Sequence, residues 1–352
     1  MEHSIISLSD KETFAMYRLP HQSSHFLVRQ RDSAYQQLGA RTFGKQGFVF
    51  YPFTRSSGKP TVFIENEIMI ENPIIEFFSN HNNPVTTISK PDYLSKVNQF
   101  IGATKARFKK LIFSRIKKIE TRPGNLYKLF VALKQSYPTA FVYLVNIAEE
   151  GCWIGASPEI LYKQNGFAQT IALAGTQRDL GLPLEEVQWG KKEIEEQSIV
   201  ERYFQRILLN KGIKFQRSVR QTVKAGNILH LRTDFHFNPK GKVYDLIADL
   251  HPSPAVCGMP KQAAKSFIIN QEPHARDYYC GFLGPVNLHN ETHLFVNLRC
   301  MQVLKDCFAL YVGGGILPDS NPEREWEETE LKAKTLSSVI EKVYLEELVS
   351  NN

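Results

Sequence analysis

Short apolar runs such as Phe48-Val49-Phe50-Tyr51 and Thr61-Val62-Phe63-Ile64, set between Gly, Pro and Asn, mark the first 90 or so positions. They predict brief strands that act as scaffold and carry little chemistry. From Asp92 the period changes: Leu94, Val97, Ile101 and Phe108 recur at helical spacing, predicting an amphipathic helix that runs into Lys109 and Lys110. A strand is expected next, through Leu111, Ile112 and Phe113. Other β-branched and aromatic runs predict strands at 140–147, 169–174, 295–303 and 308–312, while helical patterns occupy 185–210, 260–271 and 322–347. Strands and helices that do not alternate regularly imply an α/β (mixed α+β) fold with large, mainly antiparallel sheets, not a parallel doubly wound one. No repeat or linker divides the chain, so 1–352 reads as one intertwined domain, with 1–90 as an N-terminal scaffold part.

Two of the helices carry acids where apolar residues belong. In the first, the stripe Val200, Tyr203, Phe204, Ile207 and Leu208 continues backward at intervals of three and four to Glu196 and Glu193. In the second, Asn321 is placed to cap a helix that has Pro322 at its first position. There the stripe Leu336, Val339 and Val343 extends back through Lys332 to Glu328 and Glu325. Ionised carboxylates on an inward face need compensation, by a cation, a basic partner or a raised pKa. The two pairs could converge on a hard divalent ion such as Mg²⁺; alternatively each is the solvated acidic first turn of its helix.

Composition narrows the class. The chain has 352 residues, 42% of them hydrophobic, and 43 Lys plus Arg against 36 Asp plus Glu, a net charge of +7. That composition supports a folded core. The basic residues are dispersed and interrupted by acids, so no nucleic-acid-binding face is expected, whereas a mildly positive field suits a small anionic substrate. No apolar stretch is long enough to span a membrane and no export signal opens the chain, so a cytoplasmic protein is expected. Five scattered cysteines without a C-x-x-C pair read as buried, reduced thiols.

Other constellations are less specific. Gly313-Gly314-Gly315 follows a strand and reads either as a tight turn or as exposed amides that hold an anion. His289 and His293 stand four apart, but their Asn- and Gly-rich surroundings indicate a turn between strands and no zinc site. Pro252, Pro254, Gly258 and Pro260 frame Ala255, Val256 and Cys257 in a rigid loop that leads into a helix. Cys257 has no base partner that would make it a nucleophile.

From about Lys105 to Ile340 the chain resembles the chorismate-utilising enzymes, and among them the isochorismate synthases most closely. The segments that carry the resemblance are Lys110-Leu-Ile-Phe-Ser-Arg115, Gly155-Ala-Ser-Pro-Glu-Ile160, Ile171-Ala-Leu-Ala-Gly-Thr176, His251-Pro-Ser-Pro-Ala-Val256, Val296-Asn-Leu-Arg-Cys300, and Gly313-Gly-Gly-Ile316 followed by Glu325-Trp-Glu-Glu-Thr329. The resemblance implies large antiparallel sheets that enclose the site, helices outside, and a monomer. It also implies Mg²⁺ on Glu196 and Glu328, with Glu193 and Glu325 as further ligands or their neighbours.

By the same resemblance, Lys110 is the general base and Glu159 the general acid when water adds at C2 of chorismate and the C4 hydroxyl leaves. The ring carboxylate would sit on the metal, with Lys332 near that end. The enolpyruvyl carboxylate would meet Arg299, Tyr279 and the amides of Gly313, Gly314 and Gly315. Gly175, Thr176, Ala255 and Val256 belong to the matching substrate segments. His230 matches the family's site histidine, although a strand-end structural histidine reads equally from its own surroundings. Relatives that use ammonia or eliminate pyruvate usually carry Thr or Ser at Ala255, so its missing hydroxyl points to water addition that stops at isochorismate. Cys257 and Gln177 depart from the usual pattern. Whether the product would feed menaquinone or a siderophore is not written in this chain.

Overall fold

The computed structural model describes residues 5–345 except Ser33 and Asn227. Two large antiparallel sheets face each other. Across the first, the strands run Gly258–Met259, Lys110–Ile119, Phe308–Ile316, Cys300–Val303, Gly151–Ser157, Phe141–Ile147, Phe14–Arg18, Phe26–Arg29 and Ile68–Glu71. The second has Ile228–Phe237, Phe167–Arg178, Ile160–Asn165, Thr292–Val296, Phe282–Val286, Gly47–Tyr51 and Val62–Glu65 in succession, with shorter strands at its ends. Early strands therefore extend both sheets. Between the sheets, Phe48, Phe50, Phe141, Tyr143, Trp153 and Phe295 are nearly or fully buried, and Phe141 stacks on Phe295 with ring centroids 4.3 Å apart. Side chains of this size dominate the apolar area removed from water.

The predicted helix is present as Lys90–Ala106, capped by Ser89, but it stops short of Phe108–Lys110, and Lys110 already opens the strand Lys110–Ile119 that follows. The helix Pro322–Ile340 begins with the anticipated cap: Asn321 accepts a hydrogen bond from the Arg324 amide at 3.1 Å. The first acidic helix begins at Lys191, later than the pattern suggested, because Gly190 occupies its N-cap and Leu184–Glu186 forms a separate turn. The predicted strand at 295–303 is corrected. It is two strands in different sheets, Thr292–Val296 and Cys300–Val303, broken at 297–299.

That break organises the molecule. The chain crosses between sheets at Asn297–Arg299 and also at Pro158–Glu159, and the two crossings lie side by side. The Ala156 amide donates to the Arg299 carbonyl at 3.0 Å, and the Val296 amide to the Glu159 carbonyl at 2.9 Å. Backbone groups leaving one ladder are thus satisfied by the other crossing, as buried amides require.

Candidate active site

Glu159 and Arg299 stand at these crossings, and a pocket opens beside them. Its lining includes Glu159, Gly175, Thr176, Glu196, His230, Ala255, Val256, Tyr279, Arg299, Gly313, Gly314, Gly315 and Lys332. The structure therefore gathers most of the residues singled out in the sequence. Lys110 lies just behind this surface: its Cε is 3.0 Å from the point where a Cβ on Gly315 would sit. Ile112, Leu173 and Tyr311, which read only as apolar strand positions, also line the pocket, as does Cys280 from the turn before Phe282–Val286, which read only as a buried thiol.

Glu159 is almost wholly enclosed, and burial pushes its carboxyl up to about 8 against the opposing pull of Lys110 and Lys332. It holds its proton at neutral pH, the state a general acid needs. Lys110 is also completely enclosed; its Nζ is 2.9 Å from Glu196 Oε1 but finds no hydrogen-bond partner aligned with it. Burial raises Glu196, yet Lys110, Lys192 and Lys332 together bring it below the usual carboxylate range. On the roles that the resemblance implies, Lys110→Met, which fills the volume without the amine, is predicted to lower the rate of chorismate consumption at least a hundredfold while the circular dichroism spectrum is retained; a rate within threefold of wild type removes Lys110 from the base role.

His230, near the start of its strand, lines the pocket. It pairs with Thr176 across the sheet, and its Nδ1 is 2.8 Å from the Gly175 carbonyl, which can only accept. Nε2 is therefore the acceptor, and Arg299 Nη2 approaches it at 3.4 Å. Burial and Arg299 lower His230 to about 3, so it stays neutral beside the guanidinium. Arg299 itself, lowered to about 10 by burial, remains charged and is held by Thr335 Oγ1 at 2.8 Å. Gly175 has φ +73, and the backbone of Glu193 passes 3.1 Å from where its Cβ would be, so glycine meets both demands there.

Gly313–Gly315 is not a tight turn. It is extended strand paired with Ile112–Ser114, and its glycines make room for acids: a Cβ on Gly314 would stand 3.1 Å from Glu325 Oε2 and 3.5 Å from Glu328 Oε1, while one on Gly315 would collide with Glu196. Three of the four predicted carboxylates thus converge on this strand. Glu193 does not, and the expectation is corrected. As the third residue of its helix it folds back beside Gly190, where the unpaired amides of the first turn attract a carboxylate.

The acids are compensated by lysines. Glu325 Oε1 accepts from Lys192 at 2.6 Å, and Glu328 Oε1 from Lys332 at 2.6 Å, with Lys332 also donating to the Gly313 carbonyl at 2.8 Å. Lys192 was not anticipated, since a lysine in a first helical turn reads as solvated. Among the described residues no three acidic, His or Cys side chains are close enough to cage an ion as they stand. Even so, burial and Glu328 raise Glu325 to about 7, and its Oε2 is buried without a partner. An orphaned carboxylate oxygen facing a side-chain-free strand fits a hard, oxygen-seeking cation.

A neutral buried acid, an enclosed lysine, a charged arginine and clustered glutamates around one pocket define a site for acid–base chemistry on a small carboxylate-bearing molecule. A family described as chorismate binding enzymes matches residues 67–341, and the chain belongs to it. It is 29% identical over 244 residues to the isochorismate synthase EntC of Escherichia coli (strain K12), an alignment covering 65% of this chain and 62% of that relative. It is 26% identical over 254 residues to anthranilate synthase component 1 of Saccharolobus solfataricus, covering 67% and 56%. The solved structure of MenF, the menaquinone-specific isochorismate synthase of Escherichia coli, shares the fold at a TM-score of 0.76 and 17% identity, over 94% of this chain and 89% of that one. The chain thus spans less than two thirds of the length of these two curated relatives. Among the described residues no helix is long and apolar enough to cross a membrane, and all five cysteines are buried and unpaired.

Proposed function

We propose that the protein is an isochorismate synthase that converts chorismate to isochorismate with Mg²⁺. The observation that carries this reading is Glu159, a carboxylic acid held protonated at neutral pH in the wall of a pocket whose other walls bear Arg299 and Lys332. Glu159 delivers its proton to the departing C4 hydroxyl, Lys110 accepts one from the water that attacks C2, and the ring double bonds shift between the two positions. Water enters and water leaves, so the reaction is an isomerisation. Arg299, fixed by Thr335 and His230, suits a bidentate carboxylate contact, with the Tyr279 ring beside it. Ala255 offers no hydroxyl to orient an amine nucleophile. Glu196, Glu325 and Glu328 would hold the Mg²⁺. When bound, it would orient a substrate carboxylate and neutralise the acidic cluster.

The test is product analysis. Purified protein incubated with chorismate and Mg²⁺ is expected to yield isochorismate as the main chromatographic product; salicylate, or anthranilate in the presence of ammonia, would replace this reading with that of another chorismate-consuming enzyme.

A further inference from the structure

Glu272 and Arg276 form the most completely enclosed ion pair among the described residues, with side chains only 2% and 3% exposed. The pair is bidentate: Arg276 Nε donates to Glu272 Oε2 at 2.7 Å and Nη2 to Oε1 at 2.6 Å. Its remaining donors leave the pair. Nη1 reaches the Val256 carbonyl at 2.7 Å and Nη2 the Ile112 carbonyl at 3.0 Å. The carbonyl of Arg276 takes the Tyr279 amide at 2.7 Å. From the other side, Glu272 Oε1 accepts both the amide and the hydroxyl of Ser114, each at 2.8 Å.

Ile112, Val256 and Tyr279 are three walls of the pocket, and Ile112 lies two residues from Lys110 on the same strand. One ion pair therefore joins the strand that carries the base, the loop that carries Ala255, and the turn that carries Tyr279. Stability alone does not call for it, because a buried ion pair is often matched or bettered by apolar residues of similar volume. A rigid fork of donors that meets carbonyls on two separate segments is something neither an apolar pair nor a lysine supplies.

We infer that Arg276, oriented by Glu272, is a positioning residue that sets the spacing between the Lys110 strand and the Ala255–Val256 loop. This rests on the acid–base reading of the pocket given above. A misplacement of about 1 Å in such a site can cost about a hundredfold in rate.

The experiment compares wild type, Arg276→Lys and the double variant Glu272→Leu/Arg276→Met. Chorismate consumption is followed irrespective of product, alongside melting temperature and equilibrium chorismate binding. The double variant is expected to fold but to melt below wild type, because the Ser114 amide and the Val256 and Ile112 carbonyls lose a buried partner, and to bind chorismate within about tenfold while losing about a hundredfold in kcat; Arg276→Lys should fall between. Wild-type kcat in the double variant overturns the inference. So does failure of both variants to fold, which would make the pair purely structural. A wild-type protein that leaves chorismate untouched removes the reading of the pocket instead, and this inference with it. A product other than isochorismate leaves the comparison intact.

Discussion

Glu159→Gln is expected to lower kcat by about three orders of magnitude and, at pH 7, to make the protein more stable. Both effects have one cause. The amide has nearly the shape of the protonated acid but no proton of comparable acidity to give the leaving hydroxyl. It also ends a conflict: the folded protein opposes ionisation of Glu159 until about pH 8, whereas an unfolded glutamate ionises near 4.5. Since the folded pKa is the higher, the contribution to stability is full below 4.5, falls as pH rises from there to about 8, and is constant above. At pH 7 the gap amounts to roughly 3 kcal/mol, which the glutamine variant recovers. Melting temperatures of the two proteins should coincide at pH 4 and separate progressively toward pH 8. The wild-type rate should decline as pH passes about 8, where the acid loses its proton. A variant that is inactive and also less stable at pH 8 would contradict the protonated, buried acid assigned here.

What the sequence reveals about this site depends on whether the relevant signal is periodic. Glu196, Glu325 and Glu328 were visible because a helix repeats every 3.6 residues, so an acid on an apolar stripe is conspicuous. Periodicity places the carboxylate but not its rotamer, and Glu193 shares the stripe while its oxygens return to the helix start. The crossing at Asn297–Arg299 left no trace, because Phe295 to Val303 reads as one β-rich run, and a strand that changes sheets keeps its residue types. Glu272 and Arg276 were hidden by the opposite effect. An acid and a base four apart on a sequence look like a solvated helical pair. Here Glu272 lies past the end of the helix Lys261–Gln271, and the chain turns both side chains inward. The helix Leu126–Ser136 shows its period in Leu126, Leu129, Phe130 and Leu133 behind the Asn125 cap, whereas the eight-residue Val243–Leu250 helix is too short for its period to declare itself.

Glu328→Ala should abolish the response to Mg²⁺, and Glu193→Ala should leave it within about threefold of wild type. The contrast follows from where the oxygens lie. Glu328 Oε1 and Glu325 Oε2 look onto the same bare stretch of strand at Gly314, close enough for Glu328 to help raise Glu325 to about 7. An acid whose ionisation its neighbour opposes, with one oxygen buried and unpaired, is stabilised by a cation placed between the two. Lys192 and Lys332 meet that demand only in part, each satisfying one oxygen of one acid. A divalent ion would satisfy both. Alanine at 328 removes one donor and the mutual repulsion together, so the remaining site has too few ligands and too little charge. The measurement is twofold: Mg²⁺ titration of the melting temperature without substrate, and of the rate with chorismate. For Glu328→Ala the thermal shift should vanish and the rate should fall by about a thousandfold at every Mg²⁺ concentration. For Glu193→Ala both curves should lie close to wild type, because its carboxylate lies beside Gly190 at the start of its own helix. An equal loss in the two variants would mean that Glu193 swings into the site, and an unchanged thermal shift in Glu328→Ala would place the ion elsewhere.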